Sequence, residues 1–137
     1  MKVLFLFIVG VMYINAADNY ELKLYEKVLP LFFEKEPIRV YADKDTSKVL
    51  QKSSKFQIIE QCDNSVHLLI GRSFPDLSDT CRKKPLFSTS YRVYRSQKNS
   101  FGAFYWRKGR PQLKFKKHVL EYFKIKIPKN LARYVEE

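Results

Sequence analysis

The sequence predicts an α/β (α+β) fold: a single small domain with a mixed sheet of about five to six strands, helices at both ends and one disulfide. Three observations predict it. Short apolar runs rich in β-branched and aromatic residues alternate with polar turns through the middle of the chain. Apolar residues recur at helical spacing near both termini. Aromatic residues make up 15% of the chain, which is typical of a packed core and not of a disordered segment.

Residues 1–16 have the pattern of an export signal. Lys2 provides a positive start, residues 3–14 form an apolar run, and residues 15–17 are small or polar, as a signal peptidase requires. The run is shorter than the roughly 20 apolar residues that a membrane-spanning helix needs. An uncleaved N-terminal anchor or a buried helix is the alternative. We therefore expect residues 17–137 to form one periplasmic or secreted domain, with no permanent membrane span after cleavage.

Residues 18–34 predict an amphipathic helix, which Pro30 kinks or divides because proline removes a helical hydrogen bond. The apolar face of this helix carries residues at helical spacing, namely Leu22, Tyr25, Val28, Leu29, Phe32 and Phe33.

Strand patterns dominate the next part of the chain. Residues 38–42 predict the first strand, and residues 43–51 predict a polar loop that leads into a short helix. Residues 56–60 and 66–70 predict two further strands joined by a turn. Residues 72–84 predict a loop or a short helix.

A β-hairpin is the clearest element of the C-terminal half. Residues 85–94 predict a strand, and residues 101–107 and 112–115 then flank the turn sequence Lys-Gly-Arg-Pro. Residues 117–123 predict a short helix, and Pro128 opens a last helix that reaches residue 135. Alternation along the hairpin predicts one apolar and one basic, solvated face. The apolar face carries Phe104, Trp106, Leu113 and Phe115, and the basic face carries Tyr105, Arg107, Gln112, Lys114 and Lys116.

Cys62 and Cys81 are the only cysteines of the chain, and export places them where disulfides persist. A bridge between them closes a loop of about 20 residues, which stabilises a fold by about 3 kcal/mol in the chain-entropy model. A closed zinc site needs four ligands, and neither His67 nor His118 has ligand spacing. We expect a structural disulfide and no metal.

The chain is strongly basic. Its formal charge of +12 becomes +11 when Lys2 is removed with the signal. Such a charge attracts anionic partners, which outside the cytoplasm are acidic envelope proteins, phospholipid headgroups or anionic envelope polymers rather than cytoplasmic nucleic acid. The alternative is that the charge only keeps a small exported domain in solution.

No group of residues forms a recognisable catalytic site. Residues 88–90 are hydroxyl residues in a predicted strand, without the glycine-flanked turn that exposes a nucleophilic serine. His67 and His118 fit ordinary core or surface positions, and a solvated loop explains Asp43 and Asp45 as well as a carboxylate pair does. We expect a protein that is not an enzyme and needs no cofactor.

One group of residues has binding character. Interleaved aromatic and basic side chains suit anionic or planar ligands, through charge-assisted hydrogen bonds and stacking. The alternative is that Trp106 packs in the core and the charges keep a sheet edge soluble. Arg92 and Arg95 extend the group if their strand pairs beside the hairpin. The candidate binding residues are Tyr105, Trp106, Arg107, Lys108, Arg110 and Lys114, continued by Lys116 and Lys117.

The order of these elements resembles the YfiR-like family of small periplasmic regulatory proteins. The resemblance covers most of residues 17–137 and implies a mixed sheet flanked by helices, a disulfide-bearing periplasmic domain, and restraint of a membrane-bound diguanylate cyclase through its periplasmic sensor domain. The arm at residues 112–116 and the aromatic residues 104–106 differ from the family, so no contact residue is carried over. The segments that resemble the family are 20–42, 62–70, 85–90, 102–104, 113–115 with Leu120, and 127–134.

The sequence supports three hypotheses of function. The first is an exported non-enzymatic binding or regulatory protein whose hairpin faces a partner, and the second is a module that captures an anionic solute or envelope ligand. The third is a small exported enzyme of an unrecognised class. A concave pocket lined by Arg107, Arg110 and Lys114 favours the second hypothesis. An exposed Trp106 or Tyr105 on a flat face favours a protein partner. The oligomeric state is left open.

Overall fold

The computed structural model describes residues 16–136, with side chains from residue 19 onward. The predicted export signal therefore lies outside the described residues except for Ala16, and it stays a prediction. Seven strands form one mixed sheet, one more than the five to six expected, and the α/β class is confirmed. The strands are β1 Ile38–Ala42, β2 Phe56–Ile58, β3 Leu68–Gly71, β4 Leu86–Ser88, β5 Ser100–Arg107, β6 Arg110–Lys116 and β7 Val135–Glu136.

The sheet order is β2-β1-β3-β4-β5-β6-β7. The first five strands in this order are parallel, β6 is antiparallel to β5, and β7 is parallel to β6. The connections contain five α-helices and two 3-10 helices within the described residues. These are α1 Ala16–Val28, the 3-10 turn Leu29–Leu31, α2 Lys44–Leu50, α3 Asp79–Arg82, α4 Tyr91–Ser96, α5 Lys117–Tyr122 and the 3-10 helix Lys129–Tyr134.

Helices pack on both faces of the sheet. The larger core lies on the face covered by α1, α2 and α5, where Tyr25, Leu50 and Leu120 are buried against apolar strand residues. The opposite face holds a smaller core around Val66, Leu69 and Leu86. Buried apolar strands with helices on both sides are typical of a parallel sheet.

The prediction of a strand over residues 85–94 is wrong in its second half, because β4 ends at Ser88 and α4 begins at Tyr91. Ser90 caps this helix, since its Oγ accepts the N–H of Val93 at 3.4 Å. Tyr94 is then buried against Ala103 and Tyr105 of β5. A short run of apolar residues fits both periodicities, and here the cap and the packing partner select the helix.

The predicted disulfide is present. Cys62 and Cys81 are bonded, with their Cα atoms 6.2 Å apart, and the bond joins the segment after β2 to α3. Cys81 is completely buried, and Cys62 packs beside the smaller core. Within residues 16–136, no three His, Cys, Asp or Glu side chains group as a metal site would require. In the same residues, every helix is too short or too polar to cross a membrane.

Candidate functional site

The β5–β6 hairpin turns at Lys108 and Gly109. Both residues have positive φ, 52° and 75°, and Arg107 pairs directly with Arg110 across the turn. Two central residues with positive φ form the tight turn whose twist matches the flanking strands, and glycine adopts this conformation without steric cost. The hairpin predicted from the sequence is confirmed.

Three cations lie at the tip of this hairpin. Arg107, Lys108 and Arg110 are exposed, and none of them is ion-paired with another described residue. Arg107 and Arg110 are direct cross-strand partners, so their side chains start from adjacent backbone positions, and neither forms an ion pair with a described residue. Like charges in this arrangement repel, so the tip favours contact with an external anion.

Trp106 connects the hairpin tip to α1. Its ring lies 5.5 Å from the ring of Tyr20 and 5.7 Å from that of Phe104, and its Nε1–H donates to Glu21 Oε1 at 3.3 Å. The side chain is nevertheless 40% exposed. Trp106 therefore packs along one side and presents the other to solvent, a geometry common in binding surfaces because the indole has an apolar body and a polar edge.

Tyr105 and Lys114 pack against other parts of the fold, unlike the three exposed cations of the tip. Tyr105 is only 8% exposed, and its ring lies 5.3 Å from that of Tyr91. Lys114 Nζ is 3.1 Å from Glu136 Oε1 and 5.4 Å from the Tyr91 ring centroid. The hydrogen bond to Glu136 raises the pKa of the Lys114 ammonium. The face predicted to be basic and solvated is thus covered in part by α4.

Lys116 also belongs to this packed region. Its ammonium donates to the carbonyl oxygens of Tyr94 and Gln97 at the end of α4 and lies 4.6 Å from the Tyr94 ring centroid. Burial lowers the pKa of this ammonium. Arg92 and Arg95 lie on α4 and not on a strand, so the condition under which they would extend the group, a strand paired beside the hairpin, is not met. The α4 helix lies across β5 instead, and its Arg95 stacks 5.8 Å from the Tyr91 ring.

A crevice of about 550 Å³ lies beside the hairpin, at the carboxyl ends of β1, β3, β4 and β5. Strand order reverses between β1 and β3, and in open parallel sheets ligands bind outside the carboxyl ends of the strands at such a point. The sequence did not reveal this crevice, because it depends on which strands are neighbours. It is lined by Glu21, Asp43, Asp45, Thr46, Val49, Arg72, Thr89, Ser90, Tyr91, Arg92, Tyr105 and Trp106.

Asp43 organises one side of the crevice. Its Oδ1 accepts the N–H of Thr46 at 3.0 Å, and its Oδ2 accepts the N–H groups of Arg72 at 2.7 Å and Ser73 at 3.3 Å. Gly71 has a φ of 146°, and a Cβ at that position would lie 2.6 Å from the Asp43 carboxylate. The carboxylate thus starts α2 and holds the loop after β3, which is a structural role.

Tyr25 places an unusual polar group in the larger core. It is completely buried, and its hydroxyl has no hydrogen-bond partner among the described residues. Burial raises the pKa of the Tyr25 phenol, and the carboxylates of Glu21 and Asp43 raise it further. Both carboxylates line the crevice, whereas Tyr25 itself does not line it. Helical spacing predicted that Tyr25 is buried, but an unpartnered hydroxyl leaves no mark in a sequence.

Ser88 and His67, two further polar residues considered in the sequence, have structural partners. Ser88 Oγ and Ser100 Oγ are buried 2.7 Å apart, and His67 Nδ1 accepts the backbone N–H of Arg39 at 2.8 Å. No protein-family model matches the chain, and no curated protein or solved structure matches it significantly.

Proposed function

We propose that this protein is an exported, non-enzymatic binding protein whose hairpin tip docks on an acidic surface of a protein partner. The observation that carries the proposal is the pairing of Arg107 with Arg110 next to the half-exposed Trp106. Arginine and tryptophan are the residue types most enriched among those that dominate the binding energy of protein interfaces. Cations at a docking surface also steer an acidic partner and accelerate association.

The same geometry favours a protein over a small anionic ligand. Arg107 and Arg110 lie at the tip and do not line the crevice, while Lys114 is directed to Glu136. The crevice itself carries three carboxylates, Glu21, Asp43 and Asp45, beside two arginines, so it is not a purely cationic site. Arg107, Arg110 and Lys114 therefore do not form the concave cationic pocket that is expected of a module for an anionic solute.

The partner class follows from the predicted export and the family resemblance. A disulfide is compatible with an oxidising compartment outside the cytoplasm. The resemblance to YfiR-like proteins implies a partner that is a membrane-bound signalling enzyme, such as a diguanylate cyclase, contacted through its periplasmic sensor domain. In this proposal the protein regulates that enzyme by binding and carries out no chemistry itself.

Charge reversal at the tip tests the proposal. The immobilised mature protein is exposed to envelope extracts of the source cells, and captured proteins are quantified and identified. We expect Arg107→Glu with Arg110→Glu to reduce capture by about tenfold or more, because both arginines are exposed and a reversed charge repels an acidic surface. The matched control is Lys52→Glu with Lys55→Glu, which makes the same change in net charge beside β2 at the opposite edge of the sheet.

Three outcomes distinguish the hypotheses. Equal capture by both folded double variants removes the tip from the proposed function. Capture that survives protease treatment of the extract favours an anionic polymer or lipid over a protein. Capture of an integral membrane protein that weakens with rising salt supports the regulatory role, because exposed charge pairs are screened by ions.

A further inference from the structure

A basic groove lies at the end of the sheet opposite the hairpin tip. It has a volume of about 910 Å³ and is bounded by the ends of α3 and α4 and by one side of α5. Asn99, the residue before β5, lines the groove, whereas Arg107 at the tip ends that eight-residue strand, which spans roughly 25 Å. The lining of the basic groove includes Arg82, Lys83, Lys98, Val119, Tyr122 and Phe123.

The charged residues of the basic groove are all cations. Arg82, Lys83 and Lys98 are exposed, and none of them is ion-paired with another described residue. No aspartate or glutamate of the described residues lines the groove, in contrast to the crevice at the carboxyl ends of the strands. Cations without counter-charges on a concave surface create a positive potential, which attracts an anion.

Arg82 is held in place by one hydrogen bond. Its Nε–H donates to the backbone carbonyl oxygen of Leu77 at 3.1 Å. That bond uses one of the five guanidinium N–H groups and leaves the two terminal nitrogens for another acceptor. Since paired guanidinium N–H groups match the two oxygens of a carboxylate, Arg82 is suited to bind one.

One wall of the basic groove is apolar. Val119, Tyr122 and Phe123 come from α5 and its end, and the rings of Tyr122 and Phe123 lie 5.0 Å apart. Tyr122 is 76% exposed, more than any other large apolar side chain of the described residues. A hydrocarbon group that covered this wall would remove apolar surface from water, which is favourable.

We propose that the basic groove binds a small amphipathic anion of the fatty-acid class, with its carboxylate beside Arg82 and Lys98 and its hydrocarbon chain against Tyr122 and Phe123. An inorganic anion would leave the apolar wall uncovered, and a cationic hydrocarbon would face like charges. The volume of the groove lies within the range of about 300–1,000 Å³ that is typical of small-molecule sites. A concave groove of this size suits a single chain better than the flat surface of a membrane.

Calorimetry with matched probes tests the proposal. Octanoate has both parts of the expected ligand, acetate has only the carboxylate, and octylammonium has the same chain length with the opposite charge. We expect octanoate to bind with a Kd below about 1 mM and the other two probes to bind at least about tenfold more weakly. We expect hexanoate to bind about fivefold more weakly than octanoate, because two methylene groups of the chain are missing at the apolar wall.

Three outcomes with these probes overturn the proposal. One is that octanoate does not bind in that range. Another is that acetate or octylammonium binds as tightly as octanoate, which would mean that the chain or the carboxylate makes no contact. The third is binding to vesicles of anionic phospholipid without binding of octanoate, which would make a membrane surface the occupant instead.

Matched variants locate the site. We expect Arg82→Gln with Lys98→Gln to weaken octanoate binding about tenfold, because charge-assisted hydrogen bonds to the carboxylate are lost. Lys108→Gln with Arg110→Gln makes the same change in net charge at the hairpin tip and is expected to keep the affinity within about twofold of the wild-type protein. Tyr122→Ala removes an exposed ring, and we expect it to weaken binding severalfold without lowering Tm. Unchanged affinity in either groove variant overturns the assignment.

The proposal is independent of docking at the hairpin tip, because the basic groove and the tip lie at opposite ends of β5. We expect Arg107→Glu with Arg110→Glu to lose partner capture and to keep octanoate binding. The variant Arg82→Gln with Lys98→Gln is expected to lose octanoate binding and to keep partner capture. Opposite effects in the two variants distinguish failure of one proposal from failure of the other.

Discussion

His67 is held by a backbone contact that only its neutral form can make. Its Nδ1 accepts the N–H of Arg39 at 2.8 Å, so this nitrogen carries no hydrogen. Burial lowers the pKa of the imidazole, and the positive charges of Lys35, Arg39 and Lys84 lower it further. Protonation of His67 would therefore break the contact and add a cation to a group of cations.

This environment predicts a loss of stability at acidic pH. The pKa of His67 is lower in the folded state than its unfolded value of about 6.5, so the unfolded chain binds the proton more readily. The contribution of His67 is fully present above about pH 6.5 and is lost as the pH falls towards the folded pKa. We expect His67→Asn, whose Oδ1 takes the place of Nδ1, to lose less stability on acidification than the wild-type protein.

Urea unfolding at about pH 7.5 and about pH 5.5 measures this difference. Carboxylates also titrate at low pH, but both proteins contain them. The difference between the two proteins in the change of unfolding free energy therefore isolates the contribution of His67. An equal change in both proteins would contradict the prediction.

The start of α2 shows how one side chain joins three elements. Asp43 follows β1, caps α2 through Thr46 and fastens the loop after β3 through Arg72 and Ser73. Asp45, two residues further along, has only the long contact to Arg72. The two acids look equivalent in the sequence, and their different roles come from the parallel pairing of β1 with β3.

Alanine substitutions separate the two carboxylates. We expect Asp43→Ala to lower the free energy of unfolding by about 2–3 kcal/mol, because it removes a helix cap and two further charge-assisted hydrogen bonds. The matched change Asp45→Ala is expected to lower it by less than about 0.5 kcal/mol. Chemical denaturation of the two variants checks both values, and similar losses would refute a special role for Asp43.

Elements with a local signal were predictable from the sequence, and those selected by distant contacts were not. The hairpin follows from the Lys108-Gly109 turn and from alternation along its arms, which depend on neighbouring residues alone. The α4 helix was missed because its burial depends on β5. The strand β7 was missed because two residues carry no periodicity, and it forms only beside Phe115 and Lys116 of β6.

The features of the candidate site also divide into those that follow from local sequence and those that depend on distant contacts. The exposure of the tip cations follows from the hairpin turn alone, since a tight turn exposes its residues whatever the rest of the fold does. The role of Lys114 was not predictable, because its partner Glu136 lies 22 residues away in sequence and reaches it through β7. The crevice required the order of five strands, which no single segment encodes.

The sheet order explains why the tip and the crevice are neighbours in the whole molecule. The carboxyl end of β5 carries Trp106, whose ring edge faces Glu21 at the crevice and whose strand continues to Arg107 at the tip. A partner bound at the tip would therefore lie beside an indole that also lines the crevice.

The disulfide makes the stability of the whole domain depend on its compartment. Cys62 and Cys81 close a loop that contains β3, the strand in contact with both β1 and β4 near the centre of the sheet. We expect Cys62→Ala with Cys81→Ala to lower the free energy of unfolding by about 3 kcal/mol, because the unfolded chain regains the entropy of an open loop. For a domain of this size, the loss corresponds to a fall in Tm of about 10 °C.

Reductant provides the control, because it opens the same loop without changing the sequence. Adding reductant is expected to lower the Tm of the wild-type protein close to that of the double variant and to leave the variant unaffected. A wild-type Tm that does not respond to complete reduction, verified by a thiol assay, would contradict the prediction. If the expected fall is observed, the protein is substantially less stable in a reducing cytoplasm than in an oxidising compartment, where the bond persists. That difference would tie full folding stability to the export that residues 1–16 predict.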